Sequence, residues 1–269
     1  MMKLTIVGCS GSLSGPDSAA SSYLVQAPYR GRTFSLLLDC GPGAMGALYR
    51  YLDPREIDAI GLSHLHADHC LDLCGYHVAA CYSPSAPWPR RPVYGPLDAA
   101  SRLARAYEVT DNMGEQSESG DSIAERFQWR TWQPSQQVGP FIVRTVRVEH
   151  PVEAYAIWVQ EDVPGGGTMV YSGDTGPSEA LVQLAHGVDL LLVEAAFLDD
   201  PDNPPGMHLS GAQAAAIGQA AGVASIVITH IPPWYEPDRV LAEAVPHFDG
   251  PMSLAKPGAT WDIGTRPCF

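Results

Sequence analysis

The segment Ser63-His64-Leu65-His66-Ala67-Asp68-His69 carries the residue types best suited to chemistry in this sequence. In extended backbone, residues two apart point to the same side, so His64 and His66 can share one metal ion. Asp68 and His69 lie in the turn that follows, where the chain can direct them toward a neighbouring position. Three His and one Asp at these offsets seldom arise by chance, and the pattern predicts a metal site rather than a polar loop.

One segment cannot complete such a site, because zinc takes about four ligands per ion. Three further candidates each follow a predicted strand, at the edge where loops begin and sites are usually assembled: His150, Asp174 and His230. Taken singly, each is as easily explained as a capping histidine, a turn aspartate or a core histidine. Together with the first segment they predict a shared centre.

The expected chemistry at such a centre is hydrolysis. Two ions about 3.5–4 Å apart can lower the pKa of a bridging water and stabilise both the attacking and the leaving oxygen of a phosphodiester. The resulting hydroxide would attack phosphorus in line. Oxygen and nitrogen ligands without a thiolate favour zinc, with manganese or iron as alternatives.

The elements that must position these residues are short strands and amphipathic helices. Ser210 followed by Gln213 is a capping-box pattern for a helix over residues 211–221. Apolar runs predict strands over 4–7, 23–25, 34–38, 59–62, 127–131, 141–148, 155–160, 169–172, 190–194 and 226–229. Further helices are predicted over 71–80, 97–107, 178–185 and 238–244. We expect one domain spanning residues 1–269, with two packed sheets and outer helices.

Composition limits the classes of function. The 269 residues carry 30 acidic against 16 basic side chains, a net charge of −14. Such a surface disfavours long phosphate backbones. No run approaches the roughly 18 apolar residues of a membrane span, and no secretory leader is expected. Six cysteines without zinc-ribbon spacing suit a reduced, cytoplasmic protein.

Residues 110–125 carry acidic side chains and no basic one, and they are expected to form a surface loop, with a lid as the alternative.

Several segments resemble the metallo-β-lactamase superfamily, and the resemblance extends from Leu4 to about Asp249. Glu194 and His208-Leu209-Ser210 resemble motifs of its RNase Z-like phosphodiesterase branch. Gly8-Cys9-Ser10-Gly11-Ser12 and Thr229-His230-Ile231-Pro232-Pro233-Trp234 are similar to compact actinobacterial proteins proposed as atypical class II cyclic-AMP phosphodiesterases. The resemblance implies a four-layer αββα sandwich of the α/β class and, as is usual in this branch, a homodimer.

The resemblance also implies a ligand set. His64, His66 and His150 would hold one divalent ion, and Asp68, His69 and His230 the other. Asp174 would bridge the two ions, and Asp39 matches a buried supporting aspartate.

The leaving alkoxide needs a proton, and we expect His208 to supply it with Glu194 as its orienting carboxylate. Asp68, His208 and Glu194 are therefore the expected catalytic residues; the alternative for Glu194 is a core carboxylate that bonds a loop. His77, His186 and His247 are expected on helix surfaces, and Cys70 is expected to pack inward.

Three substrates fit the same metals: a small diester with 3′,5′-cyclic AMP as the leading candidate, the 3′ end of a precursor tRNA, or a thioester or lactam. The tRNA processors of this family resemble each other in carrying a basic, Gly/Pro-rich arm, which is absent here. The Glu194/His208 pair is generally lacking in the thioester and lactam relatives. A fourth alternative is a metal-bound scaffold without activity; the loss of one ligand would favour it, and none is visibly missing. Trp234, Tyr235 and Trp88 could stack a nucleobase, although packing against Pro-rich loops is the commoner role.

Overall fold

The computed structural model describes residues 1–108 and 122–264. Its strands are β1 (Met2–Ser10), β2 (Ala19–Ala20), β3 (Ser22–Tyr29), β4 (Arg32–Leu38), β5 (Ala59–Gly61), β6 (Pro92–Gly95), β7 (Gln128–Thr131), β8 (Ser135–Val138), β9 (Phe141–Arg147), β10 (Tyr155–Glu161), β11 (Thr168–Tyr171), β12 (Leu190–Glu194), β13 (Ile226–Thr229), β14 (Met252–Leu254) and β15 (Thr260–Ile263). Its α-helices are α1 (Ala44–Leu48), α2 (Ala67–Cys70), α3 (Leu73–Tyr82), α4 (Ala99–Tyr107), α5 (Ile123–Arg126), α6 (Glu179–Leu184), α7 (Gly211–Ala221) and α8 (Pro237–Ala244). Short 3₁₀ turns span Pro54–Glu56 and Val245–His247.

The strands form two sheets. The first has the order β15-β1-β3-β4-β5-β6-β7, with β2 added beside β1. The second has the order β14-β13-β12-β11-β10-β9-β8. Within each sheet an antiparallel meander adjoins a parallel portion, β4-β5-β6-β7 in the first and β11-β12-β13-β14 in the second.

Three apolar clusters hold the layers together. The central cluster joins side chains of both sheets, such as Leu36 of β4 and Leu192 of β12. A second cluster packs the outer face of the second sheet on α6–α8, and a third packs the first sheet on α1–α5. The four-layer αββα sandwich is thereby confirmed, and β12 is buried on both faces as its continuous apolar sequence predicted.

Helix α7 shows how local sequence sets an element. The side chain of Ser210 accepts from the backbone N–H of Gln213 at 3.3 Å, and Gln213 reaches back to the N–H of Ser210 at 3.0 Å. The helix ends at Gly222, whose φ of 63° lies in the left-handed region that glycine favours. Both bounds of the predicted helix are confirmed.

Other elements differ from the sequence expectation. The helix predicted over 71–80 is α3, which begins and ends two residues later, and Asp72 just before it accepts from the N–H of Met45 at 2.7 Å. The turn expected at Asp68 and His69 is instead the single-turn helix α2. The edge strands β8, β14 and β15 were not anticipated, since short half-exposed runs carry little periodic signal. The acidic segment lies largely outside the described residues, and its last part forms α5.

The site residues follow strands whose carboxyl ends share an edge. Asp39 follows β4, and the His-rich segment follows β5, its parallel neighbour. In the second sheet Asp174, Glu194 and His230 stand at or just after the ends of the parallel strands β11, β12 and β13. Parallel strands bring their carboxyl ends to one edge, which is where ligands bind in such sheets.

In the described ranges 1–108 and 122–264, no helix combines the length and the apolar character that crossing a bilayer demands.

Candidate metal centre

Three imidazole nitrogens converge at the end of β5. His66 Nδ1 lies 3.0 Å from His64 Nε2 and 3.1 Å from His150 Nε2. Asp174 Oδ2 completes the group at 3.6 Å from His64 Nε2. Nitrogens that surround one divalent ion at about 2.0–2.1 Å must approach one another this closely.

A second group lies on the other side of Asp174. His69 Nε2 is 3.2 Å from Asp174 Oδ1 and 3.4 Å from Asp68 Oδ2. His230 Nε2 is 3.3 Å from Asp174 Oδ2 and 3.7 Å from Asp68 Oδ2. In each group one ligand atom per residue lies within 4.8 Å of all the others, and Asp174 belongs to both.

Three buried polar atoms of these groups have no hydrogen-bond partner in the part of the chain that the structure describes. His69 Nε2, His230 Nε2 and Asp174 Oδ1 are shielded from solvent and make no hydrogen bond within the described residues. An unsatisfied buried donor or acceptor costs about 1–3 kcal/mol. All three atoms belong to the group of Asp68, His69, Asp174 and His230, where a divalent cation would satisfy them. The donor set of imidazole nitrogens and carboxylate oxygens fits as well.

Ionisation favours cation binding. Burial lowers the pKa of His64, His66, His150 and His230, so these rings keep a lone pair for a metal. Burial would raise the pKa of Asp174, but the histidines around it outweigh burial and hold that pKa well below its usual range. The exception is His69: burial would lower its pKa, but the carboxylates of Asp174 and Asp39 outweigh burial and raise that pKa well above its usual range, so this ring must give up a proton before its Nε2 can bind a cation. The centre therefore presents four neutral rings and one protonated ring around an ionised carboxylate.

Asp39 is the hub of the surrounding support. Its carboxylate, fully buried, accepts from the N–H and the hydroxyl of Ser63, from the Tyr171 hydroxyl and from Nδ1 of His69, each at 2.7 Å. These bonds determine which nitrogen of His69 faces Asp174. Partners of this kind orient ligands and raise their basicity.

Three further histidines of the two groups are also held through their Nδ1 atoms. Nδ1 of His64 lies 3.0 Å from the Ser63 hydroxyl, and Nδ1 of His230 lies 2.9 Å from the Ser21 hydroxyl. His150 Nδ1 donates to the carbonyl oxygen of Met207 at 2.9 Å. Ser21, Ser63, Tyr171 and Met207 were missed by sequence reasoning; only Ser63, directly before the motif, and Tyr171, at the end of a strand, carried a positional signal.

Gly41 permits the close approach of the chain that carries Asp68. A Cβ atom at Gly41 would lie 1.9 Å from the carbonyl oxygen of Asp68, so the turn 66–69 could not keep its position. We expect Gly41→Ala to displace Asp68 and His69 and to weaken metal binding about tenfold or more, as loss of ligand support does. Equilibrium dialysis followed by metal analysis measures this.

Gly46→Ala is the matched control, because nothing lies within 4 Å of a Cβ there and the residue is exposed on α1. This variant should keep full metal content and gain helix propensity. Equal metal affinity in the two variants would contradict the role assigned to Gly41.

His208 and Glu194 form a pair beside Asp174. His208 Nδ1 donates to Glu194 Oε1 at 2.9 Å, and the same carboxylate accepts from the N–H groups of Thr175 and Ala196. Burial would lower the pKa of His208, but the charge and hydrogen bond of Glu194 outweigh it and raise that pKa to about 9. Nε2 of His208 makes no hydrogen bond to any described residue, which leaves it available to a substrate.

Not every expectation about single residues is met. His77, expected on a helix surface, is buried against the ring of Tyr107, so that expectation is wrong; its helix faces α4. Cys70 is buried as expected, and its thiol donates to the carbonyl oxygen of His66 at 3.2 Å. Trp88 packs against Tyr76 in the core, whereas Trp234 is 59% exposed.

Residues 35–231 match the family described as the β-lactamase superfamily domain. An uncharacterized protein of Mycobacterium leprae is 41% identical over 264 residues, which is 97% of this chain and 89% of that protein. A probable metallo-hydrolase of Bacillus subtilis, YhfI, is 29% identical over 97% of this chain and 100% of its own. The ribonuclease Z of Myxococcus xanthus is 26% identical, with 99% of both chains covered.

The fold also matches an experimental structure. The crystal structure of the B. subtilis metallo-β-lactamase fold protein YhfI superimposes with a TM-score of 0.81 at 28% identity. The superposition covers 97% of this chain and 100% of that one. The layers and strand ends described above are therefore shared across almost the whole chain.

Proposed function

Since the chain belongs to the metallo-β-lactamase superfamily and is a metallo-hydrolase, we propose that it is a phosphodiesterase with two divalent ions, and that its substrate is a 3′,5′-cyclic nucleotide, with cyclic AMP as the leading candidate. The observation that carries the proposal is the meeting of seven side chains in two groups that share Asp174, with the His208–Glu194 pair alongside.

The proposed ligands are those of the two groups. His64, His66 and His150 would hold one ion, Asp68, His69 and His230 the other, and Asp174 both. When bound, such ions supply Lewis acidity and a water of lowered pKa. Zinc suits this donor set first, with manganese or iron as alternatives.

The protein's own residues supply the remaining steps. Glu194 holds His208 by its Nδ1, so the proton on Nε2 can pass to the leaving oxygen of the ester. Asp39 and Tyr171 keep His69 in one orientation. The fully buried carboxylate of Glu194 is fixed by backbone N–H groups on both oxygens, so His208 works from a rigid support.

A tRNA 3′-processing endoribonuclease is the second candidate, because ribonuclease Z relatives match the chain nearly end to end. Electrostatics argue against it. With a net charge of −14, binding of a long phosphate backbone gains little from counterion release. Of the basic residues near α4, Arg91 already donates to the carbonyl oxygen of Arg55 at 2.6 Å.

Product analysis separates the candidates. Purified, metal-analysed protein is offered 3′,5′-cyclic AMP, 2′,3′-cyclic AMP, a precursor tRNA with a 3′ trailer, a thioester and a lactam. We expect turnover of 3′,5′-cyclic AMP to 5′-AMP or 3′-AMP, and no turnover by Asp174→Asn protein prepared in parallel, which controls for contaminating enzymes. Efficient trailer cleavage with inert cyclic nucleotides would refute the proposal.

A further inference from the structure

A cavity of about 530 Å³ opens beside His66, which forms part of its wall. Its walls include the apolar side chains of Leu65, Pro96 and Val152. A volume of this size is typical of small-molecule pockets. Because His66 belongs both to the proposed metal centre and to this wall, one ligand can occupy both places.

Four charged side chains line the same cavity, and they form no ion pairs with one another. Arg102 and Arg105 stand three residues apart on α4, Asp98 precedes that helix, and Glu153 precedes β10. Over residues 1–108 and 122–264, no ion pair within 4 Å connects them, and neither guanidinium donates a hydrogen bond. Glu153 Oε1 accepts from the Tyr155 hydroxyl at 2.6 Å, which leaves Oε2 without a partner there.

The balance of charge restricts what can bind. Two guanidinium groups and two carboxylates sum to zero, so a phosphate would be opposed by Asp98 and Glu153, and a bare cation by the arginines. A nucleobase satisfies both kinds of group, because its edge offers ring acceptors to Arg and amine donors to carboxylates. Its flat faces suit apolar walls and the plane of a guanidinium.

We propose that this cavity is the subsite for the nucleobase of the substrate, an inference that rests on the proposed phosphodiesterase activity. The ester phosphate lies at the metal centre and the base lies past His66. Arg102, half-buried on α4, donates to ring nitrogens of the base, and Glu153 or Asp98 accepts from its amine. Arg102 is then a specificity-determining residue that contacts substrate but not the reacting atoms.

Calorimetric titration of metal-loaded protein tests this without turnover. In the wild type, adenosine 5′-monophosphate should bind about tenfold tighter than ribose 5-phosphate, which lacks only the base. Arg102→Met should reduce that ratio to about threefold or less, while metal content and melting temperature stay unchanged. Arg102→Lys, which keeps the charge but loses the planar fork, should lose most of the ratio as well.

Arg239→Met is the matched control, because Arg239 is an exposed helical arginine on α8 and does not line the cavity. It should keep the wild-type ratio. Equal wild-type affinity for the two ligands, or a ratio that survives Arg102→Met, would overturn the inference. So would an extra affinity for adenosine 3′,5′-bisphosphate that Arg102→Met alone removes, since the cavity would then hold a phosphate.

Failure of the proposed activity looks different. If cyclic nucleotides resist hydrolysis but the base-dependent ratio is found and requires Arg102, the base subsite stands and the proposed substrate is wrong. If cyclic AMP is hydrolysed and the ratio is absent, the activity stands and the base lies elsewhere.

Discussion

Asp174→Asn protein should lose at least about a thousandfold in kcat/KM on any diester that the wild type cleaves. Asp174 alone belongs to both groups of potential ligands, with oxygens 3.2 Å from His69 and 3.3 Å from His230. Among the described residues, only the carboxylate of Asp174 can place its negative charge beside both proposed ions. An amide of the same shape removes that charge, so metal content per chain should fall together with activity.

Asp58→Asn is the matched control for this variant. Asp58, just before β5, pairs with Arg32 at 2.8 Å and belongs to neither group of potential ligands. The control should keep its metal and its activity. Full metal content in Asp174→Asn, with activity within about tenfold of the wild type, would exclude a bridging carboxylate from the mechanism.

Replacing His208 by Ala should separate substrates by their leaving groups. An alkoxide leaves only when protonated, so turnover of a cyclic nucleotide should fall about 10²- to 10⁴-fold. A nitrophenolate leaves without a proton, so hydrolysis of bis(p-nitrophenyl) phosphate should change by no more than about threefold. Both rates are measured on the same metal-analysed preparation, because the expected metal content is that of the wild type.

His186→Ala is the control, since His186 is exposed after α6 and belongs to neither group of potential ligands. Equal losses on the two substrates would remove the acid role from His208. A parallel loss of metal would instead place His208 among the ligands. This outcome has to be measured, because His208 Nδ1 lies 3.9 Å from Asp174 Oδ2.

Much of the fold was predictable because its periodic signals are strong. The continuous apolar sequence of β12 and the capping box of α7 determine their elements locally, and both agree with the structure to the residue. The hydrogen bond from the backbone of Met45 to Asp72, just before α3, was not predictable, because it joins residues 27 positions apart through the packing of α1 on α3. The burial of His77 likewise depends on how α3 and α4 pack.

For the candidate site, too, some features follow from the local sequence and others only from the tertiary structure. The offsets of His64, His66, Asp68 and His69 are a local property, so the sequence alone predicted these residue types as metal ligands and a hydrolytic chemistry. Which atoms meet, that Asp174 faces both groups, and that Ser21, Ser63 and Tyr171 hold the rings were decided only by the tertiary structure. The physical reason is that the second sheet supplies three of the seven potential ligands, His150, Asp174 and His230, from positions more than 80 residues along the chain from the His-rich segment. Only the packing of the two sheets sets the distance between those ends.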